Sequence, residues 1–281
     1  MSEINKNQKE FWSGKGGDIW VNQQEAMDSM LSPLGRAALD KLNLDQKENI
    51  LDIGCGCGQT TLEIAEMIPE GKITGLDISV PMLERAKDTA MKKNLPNVSF
   101  ECKDVQTDDL GNSTFTKCFS RFGVMFFEDP VRAFKNINSS LVDGGSLSFV
   151  CWQAPSLNPW QSLSVRAVKK YLDLPSPEPR SPGPFAFAES EYINSILEES
   201  NFEGIEIESH EAEVKMFPGR DLLDSAKDYL SINPVIENMI KDSEENQRNK
   251  IINSVVEAFS PFYTPKGLRF PSATWLVTAS K

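Results

Sequence analysis

Glycine recurs on alternate positions in Asp52-Ile53-Gly54-Cys55-Gly56-Cys57-Gly58, directly after the apolar pair Ile50-Leu51 and directly before Gln59-Thr60-Thr61. Alternating glycines let a backbone turn tightly and approach a ligand with no Cβ in the way. A helix opening at Gln59 would aim its free N–H groups at the same place. Such a strand–loop–helix is a nucleotide-type cofactor site. A dinucleotide fingerprint would need glycine at position 59. Gln59 stands there, which disfavours a nicotinamide cofactor. Asp77 lies 23 positions beyond Gly54, close to the spacing of a ribose-binding acid, and a carboxylate there can accept both ribose hydroxyls. Asp104-Val105 and Ser120 end two further expected strands. Singly these signals are weak. An acid at a strand end is commonly a helix cap, and Asp52 reads equally well as an acid that holds the glycine loop. One suitable group at each of four strand ends, in order, is the stronger signal.

The elements that must position these groups alternate. Strands are expected at Asn49–Ile53, Lys72–Leu76, Val98–Cys102, Phe115–Ser120 and Leu147–Trp152. Between them lie helices with apolar spacing at Leu62, Ile64, Ala65 and Ile68, at Leu83, Ala86 and Ala90, and at Phe134, Ile137 and Leu141. Pro81 and Pro130 suit first helical turns. Strand–helix alternation predicts an α/β fold with a parallel sheet and helices on both faces. Beyond Trp152 the rhythm breaks. A helix over Trp160–Leu172 is followed by the proline-rich run Leu174–Pro184, which can form neither helix nor central strand. Later elements are a helix near Glu189–Ser200, a strand near Gly204–Ile207, helices at Asp221–Leu230 and Asn249–Phe259, and a last, seventh strand at Ala273–Thr278. Residues 1–45 read as a helical cap segment. Residues 46–281 read as the core, with cap insertions near 153–188 and 215–265.

The run Asp52-x-Gly54-x-Gly56-x-Gly58 resembles motif I of the class I S-adenosylmethionine-dependent methyltransferases. Ser120-Arg121-Phe122-Gly123-Val124-Met125-Phe126-Phe127, Asp129-Pro130, Phe149-Val150-Cys151-Trp152, Asn158-Pro159-Trp160 and Pro184-Phe185-Ala186-Phe187 resemble the bacterial ubiquinone/menaquinone-biosynthesis type. The resemblance is firmest over residues 46–155. It implies a Rossmann-like, mostly parallel seven-stranded sheet with a helical cap. It also implies S-adenosyl-L-methionine as cofactor, with S-adenosyl-L-homocysteine left after transfer. In such proteins the acid matching Asp104 takes the adenine amino group, the next backbone N–H meets the ring, the position of Met82 touches adenine, and that of Ser120 holds the methionine portion. The cofactor set read in this way is Trp20, Asp52, Gly54, Gly56, Gly58, Thr60, Asp77, Ile78, Met82, Asp104, Val105 and Ser120. Thr116 and Asp143 depart from the pattern at positions that should not contact the cofactor.

Methyl transfer from a sulfonium is an in-line displacement, promoted by holding the reactants in line and excluding water. Trp12, Trp20 and Gln24 are candidates for a segment that closes over the cofactor. Phe122, Phe126, Phe127, Trp152 and Trp160 point to an apolar or aromatic acceptor pocket. Arg121 reads either as orienting an acidic substrate or as pairing with a helix end. No catalytic residue is assigned. His210, the single histidine, sits among acids in Glu208-Ser209-His210-Glu211 and reads as a surface residue rather than a base. Five cysteines without a histidine cluster supply no metal set and fit a reducing cytoplasm. A net charge of −12 and the absence of a dense basic run argue against nucleic acid. No stretch is long and apolar enough to span a membrane. The expected partner is a small-molecule acceptor. A cofactor-binding regulator without catalysis is the alternative outside the enzymes, and a nicotinamide-dependent oxidoreductase the alternative within them.

Overall fold

The computed structural model describes residues 5–174, 176 and 178–281. Five strands run parallel: β1 (Asn49–Ile53), β2 (Lys72–Asp77), β3 (Val98–Cys102), β4 (Phe115–Arg121) and β5 (Leu141–Trp152). Three more follow: β6 (Glu203–Met216), the two-residue β7 (Tyr263–Thr264) and β8 (Gly267–Ser280). The sheet order is β3-β2-β1-β4-β5-β8-β6, with β7 paired to β8, and β8 is antiparallel to its neighbours. The chain leaves β1 toward β3, then returns to place β4 on the other side of β1. That reversal opens a crevice at the carboxyl ends of β1 and β4, where open α/β sheets bind ligands.

Helices α1 (Lys6–Ser13), α2 (Lys15–Asn22) and α3 (Gln24–Asp40) precede the sheet. α4 (Gln59–Met67) starts directly from Gly58, and α5 (Val80–Lys93) has Pro81 in its first turn and Asn94 in the left-handed conformation after its end. The Asp129 side chain accepts the Arg132 N–H at 3.0 Å and so caps α6 (Pro130–Ser140). Further along come α7 (Pro159–Lys169), α8 (Ser190–Glu199), α9 (Leu222–Ile232), α10 (Pro234–Lys241) and α11 (Glu245–Phe259). The core is centred on β4 and β5. Phe119, Phe134, Phe149 and Phe187 are fully buried there. Ser148 Oγ donates to Ala38 O at 2.7 Å, tying α3 to β5.

Several expectations are corrected. β5 begins at Leu141, not Leu147: Phe115 faces Leu141 and Lys117 faces Ser146, so Val142–Gly145 bulge out of the ladder, with Gly144 at φ 76°. β6 and β8 are far longer than expected and zip together from Glu203 and Ser280 to Met216 and Leu268. His210, beyond the expected strand near Gly204–Ile207, lies within β6 and is paired with Thr274. α10 is an element the sequence reading lacked. In the proline-rich run Leu174–Pro184, positions 175 and 177 lie outside the described residues.

Candidate active site

A cavity of about 460 Å³ opens at the carboxyl ends of β1 to β5. Its first wall is the glycine loop. Gly54, Gly56 and Gly58 all have positive φ, at 65°, 55° and 80°, which only glycine adopts without strain. Cys55 N donates to Leu76 O at 3.0 Å and pins the loop to β2. Gly54 and Gly56 face the cavity. A Cβ on Gly56 would lie 3.7 Å from both Met82 Sδ and Trp20 Nε1, so these two side chains flank the loop.

Asp77 ends β2. Its Oδ2 accepts the Gly56 N–H at 2.8 Å and its Oδ1 accepts the Ser79 N–H at 2.8 Å. Each oxygen keeps room for a second donor, which is what two vicinal hydroxyls require. Burial pushes this carboxyl above its ordinary pKa, against the pull of the backbone amides. Beyond β3, Asp104 Oδ1 accepts the Gln106 N–H at 3.0 Å, and Lys9 Nζ lies 2.9 Å from Oδ2. Burial raises the Asp104 carboxyl, but Lys9, the Gln106 amide and Asn5 outweigh it and hold the group below its usual value. Asp104 and Val105 both line the cavity. An acid and an adjacent backbone N–H fit an adenine edge, which pairs a donor amine with an acceptor nitrogen. The buried donors and acceptors at this end therefore suit an adenosyl group.

Of the sequence-derived set, Trp20, Gly54, Gly56, Asp77, Ile78, Met82, Asp104 and Val105 line the cavity. Asp52, Gly58, Thr60 and Ser120 lie behind its wall. Asp52 is fully buried and accepts Thr61 Oγ1 at 2.6 Å, and burial pushes its carboxyl up to about 6. Ser120 Oγ donates to Ile53 O at 2.7 Å and accepts the Gly123 N–H at 3.2 Å, so it joins the ends of β1 and β4. Thr60 and Gly58 belong to the start of α4. Trp12 reaches the cavity and packs edge-on against Trp20 and Phe126, whereas Gln24 turns outward to Arg85. His210 is not among the residues that line the cavity.

The second half of the cavity is aromatic. Phe122, Phe126, Phe127, Trp152 and Trp160 all line it. Phe122 stacks on Trp152 with centroids 4.5 Å apart, while its backbone holds φ at 59°, a strained conformation for a bulky residue. Arg121 also reaches this wall. Its Nη2 lies 2.8 Å from Asp28 Oδ1 and its Nη1 donates to Gln59 Oε1 at 2.7 Å. The guanidinium is thus charge-paired and clamps α3 to the start of α4; Gln59, more than a missing glycine, is its anchor. Sequence reasoning missed the far wall: Met27, Met30 and Leu31 from α3, Gln161 from α7, Met216, and Tyr229 and Ile232 from α9. Tyr229 Oη donates to Gln161 Oε1 at 2.7 Å. Only the apolar spacing of those helices hinted at these residues, and such spacing reads as ordinary core.

The cysteines offer no metal site: among the described residues no cluster of three or more His, Cys, Asp or Glu groups can hold an ion. Cys55 and Cys57 are buried, and burial pushes the Cys57 thiol up to about 12. Cys102 is exposed. Among the described residues no helix is long and apolar enough to cross a membrane.

Residues 50–145 match a family model described as a methyltransferase domain. The chain is 31% identical over 119 residues to aklanonic acid methyltransferase DauC of Streptomyces sp. (strain C5), covering 42% of this chain and 54% of that protein. It is 32% identical over 139 residues to the malonyl-[acyl-carrier protein] O-methyltransferase of Acetivibrio thermocellus, covering 49% of this chain and 45% of that one. The chain thus spans about half the length of these curated relatives. The fold is similar to that of Haemonchus contortus phosphoethanolamine N-methyltransferase 2, solved with S-adenosylhomocysteine. The TM-score is 0.54 at 17% identity, covering 89% of this chain and 52% of that one.

Proposed function

We propose that this chain, which matches a methyltransferase-domain model over residues 50–145, is a class I S-adenosylmethionine-dependent methyltransferase that transfers the methyl group to a small apolar or aromatic acceptor. One observation carries the reading: a single cavity joins the acidic strand ends at Asp77 and Asp104 to the aromatic chamber of Phe122, Trp152 and Trp160. The cofactor supplies an electrophilic methyl on a sulfonium with a neutral thioether as leaving group. Asp77 would hold the ribose, and Asp104 with the Val105 N–H the adenine. Gly54 and Gly56 line the cavity with bare backbone, against which the chain of the ligand would lie.

The protein's contribution to rate is alignment and dryness. Trp12 and Trp20 cover the adenosyl end, while α3, α7, α9 and α10 wall the acceptor end. We read residues 1–45, with the inserts near 153–188 and 215–265, as this cap. Among the described residues the acceptor end presents no His, Asp or Glu side chain. The acceptor therefore brings a nucleophile that ionises on its own or needs no base, a condition that aromatic hydroxyls, thiols and carboxylic acids can meet. The aromatic lining and the net charge of −12 support a small molecule over nucleic acid. A quinone-like acceptor is the specific form of this reading, and the unpaired cysteines fit a reducing cytoplasm.

Calorimetry with S-adenosylmethionine and S-adenosylhomocysteine tests the cofactor. Incubation with methyl-labelled cofactor and fractionated metabolite extract, followed by mass identification of the product, tests the acceptor. Saturable binding and a labelled small aromatic product are expected. Binding of neither ligand, or label found only on protein or nucleic acid, refutes the proposal.

A further inference from the structure

The adenosyl end of the cavity holds a buried acceptor atom without a partner, Asn5 Oδ1, beside Asp104 Oδ2, which is paired with the Lys9 ammonium at 2.9 Å. Asp104 is 2% exposed and Asn5 3%, and both line the cavity. Buried polar atoms are nearly always bonded, so an orphan at a cavity wall marks the place of a ligand's group. An unpartnered amide oxygen beside a carboxylate with lone pairs to spare suits a ligand group that carries two donor hydrogens. The neighbours are consistent with this. The Asn5 side chain donates to Asp104 and helps hold its carboxylate charged, which leaves Oδ1 as the free end of the amide. The Asn5 backbone N–H is fixed on Glu128 Oε2. From there α1 crosses the site: Lys9 Nζ pairs with Asp104, and Ser79 Oγ donates to Trp12 O at 2.6 Å.

We propose that Asn5 is a second reader of the cofactor's exocyclic amine, taking one N–H on Oδ1 while Asp104 takes the other. The assignment rests on S-adenosylmethionine being the cofactor. It extends recognition from the sheet to the amino-terminal arm and makes the site selective for a 6-amino purine over a 6-oxo purine. An oxo group would set a third acceptor against these two, leaving Asn5 Oδ1 without a donor and facing the Asp104 carboxylate with a like partial charge.

The test uses the full chain and two probes, S-adenosylhomocysteine and its hypoxanthine counterpart S-inosylhomocysteine, in calorimetric titrations. Asn5 has φ 67°, so Asn5→Gly deletes the side-chain amide without imposing backbone strain. For the parent, a preference of about a hundredfold for the amino ligand is expected from two hydrogen bonds made to one ligand and denied to the other. In Asn5→Gly, S-adenosylhomocysteine should weaken about tenfold while S-inosylhomocysteine stays within about twofold, so the preference itself falls. The melting temperature without ligand reports any loosening of the arm. Equal losses for both ligands would mean that Asn5 only anchors the arm, and an unchanged preference would mean that it touches nothing; either overturns the assignment. Binding of neither ligand to the parent overturns the cofactor reading, and the role of Asn5 with it, so the two failures are told apart by the parent alone.

Discussion

Replacing Asp77 by alanine should remove most of the affinity for the cofactor while leaving the sheet folded. The carboxylate is the acceptor for the Gly56 and Ser79 N–H groups, each at 2.8 Å, and its remaining lone pairs are the ones assigned to the ribose hydroxyls. A hydrogen bond to a charged group contributes about 1.5–3 kcal/mol. Two ribose bonds lost together therefore correspond to about 3–6 kcal/mol, or roughly 10²- to 10⁴-fold in Kd. Two amides are also left without their acceptor: Gly56 lines the cavity, where water can reach it, whereas the buried Ser79 N–H faces the space of the deleted carboxylate. Asp77→Asn is the sharper variant. An amide offers one oxygen and one N–H2, so whichever way it turns, either Gly56 or Ser79 meets a donor with its own N–H, and the loop loses a tie although the volume is kept. Calorimetry with S-adenosylhomocysteine measures the loss, and thermal unfolding without ligand separates binding from folding. A change in Kd below about fivefold for Asp77→Ala, at unaltered melting temperature, would show that the ribose is held elsewhere; a pair of charged hydrogen bonds cannot be worth so little.

Two other perturbations follow from groups behind the cavity wall. Burial raises the Asp52 carboxyl to about 6 in the folded state, above its value in an unfolded chain, so the folded protein binds the extra proton between about pH 4 and pH 6. Stability should consequently fall by about 3 kcal/mol as pH rises through that window. Asp52→Asn keeps an acceptor for Thr61 and should flatten the slope; parallel urea-unfolding profiles for parent and variant from pH 4 to 7 would contradict this. Gly58→Ala would put a methyl 2.8 Å from Ala86 Cβ and 2.9 Å from Phe100 Cζ, at a backbone φ of 80°. Left-handed strain and overpacking together should cost about 2–4 kcal/mol in a urea titration, with a smaller effect on cofactor affinity because Gly58 does not reach the cavity.

The parts of this architecture legible in the residue string are those governed by local rules. β1 and β3 fall at the expected residues because short apolar runs are bounded by glycine, acid or proline. The glycine loop is visible because left-handed backbone demands a specific residue type. What spacing does not convey is which way a strand-end side chain turns. Successive residues of a strand point to opposite faces, so Ser120 lies behind the wall while Arg121 is at its surface, and Phe122, past the strand end at φ 59°, is turned to that surface as well. The full length of the β6–β8 pairing is hidden in the sequence because Glu206, Glu208, Glu211 and Glu213 break the apolar signal on a strand that is an edge of the sheet. The acceptor wall is harder still. Met27, Gln161, Met216 and Tyr229 come from four elements spread over about two thirds of the chain, and nothing local says that they meet.

The crossing of the β1 and β4 loops bears on any attempt to diversify this pocket. A Cβ on Gly54 would sit 2.9 Å from Gly123 Cα, and one on Gly123 would sit 2.7 Å from Ile53 O. The two backbones touch with no side chain between them. Neither position can accept even a methyl unless the other loop withdraws, and a second substitution adds bulk instead of restoring space. In a randomised library this pair would behave as one forbidden unit, with no compensating double variant. Gln161, Met216 and Ile232, set on longer elements across the cavity, leave room for new side chains. Acceptor preference can thus drift by substitutions on the far wall, while the seam between the two loops stays closed to change.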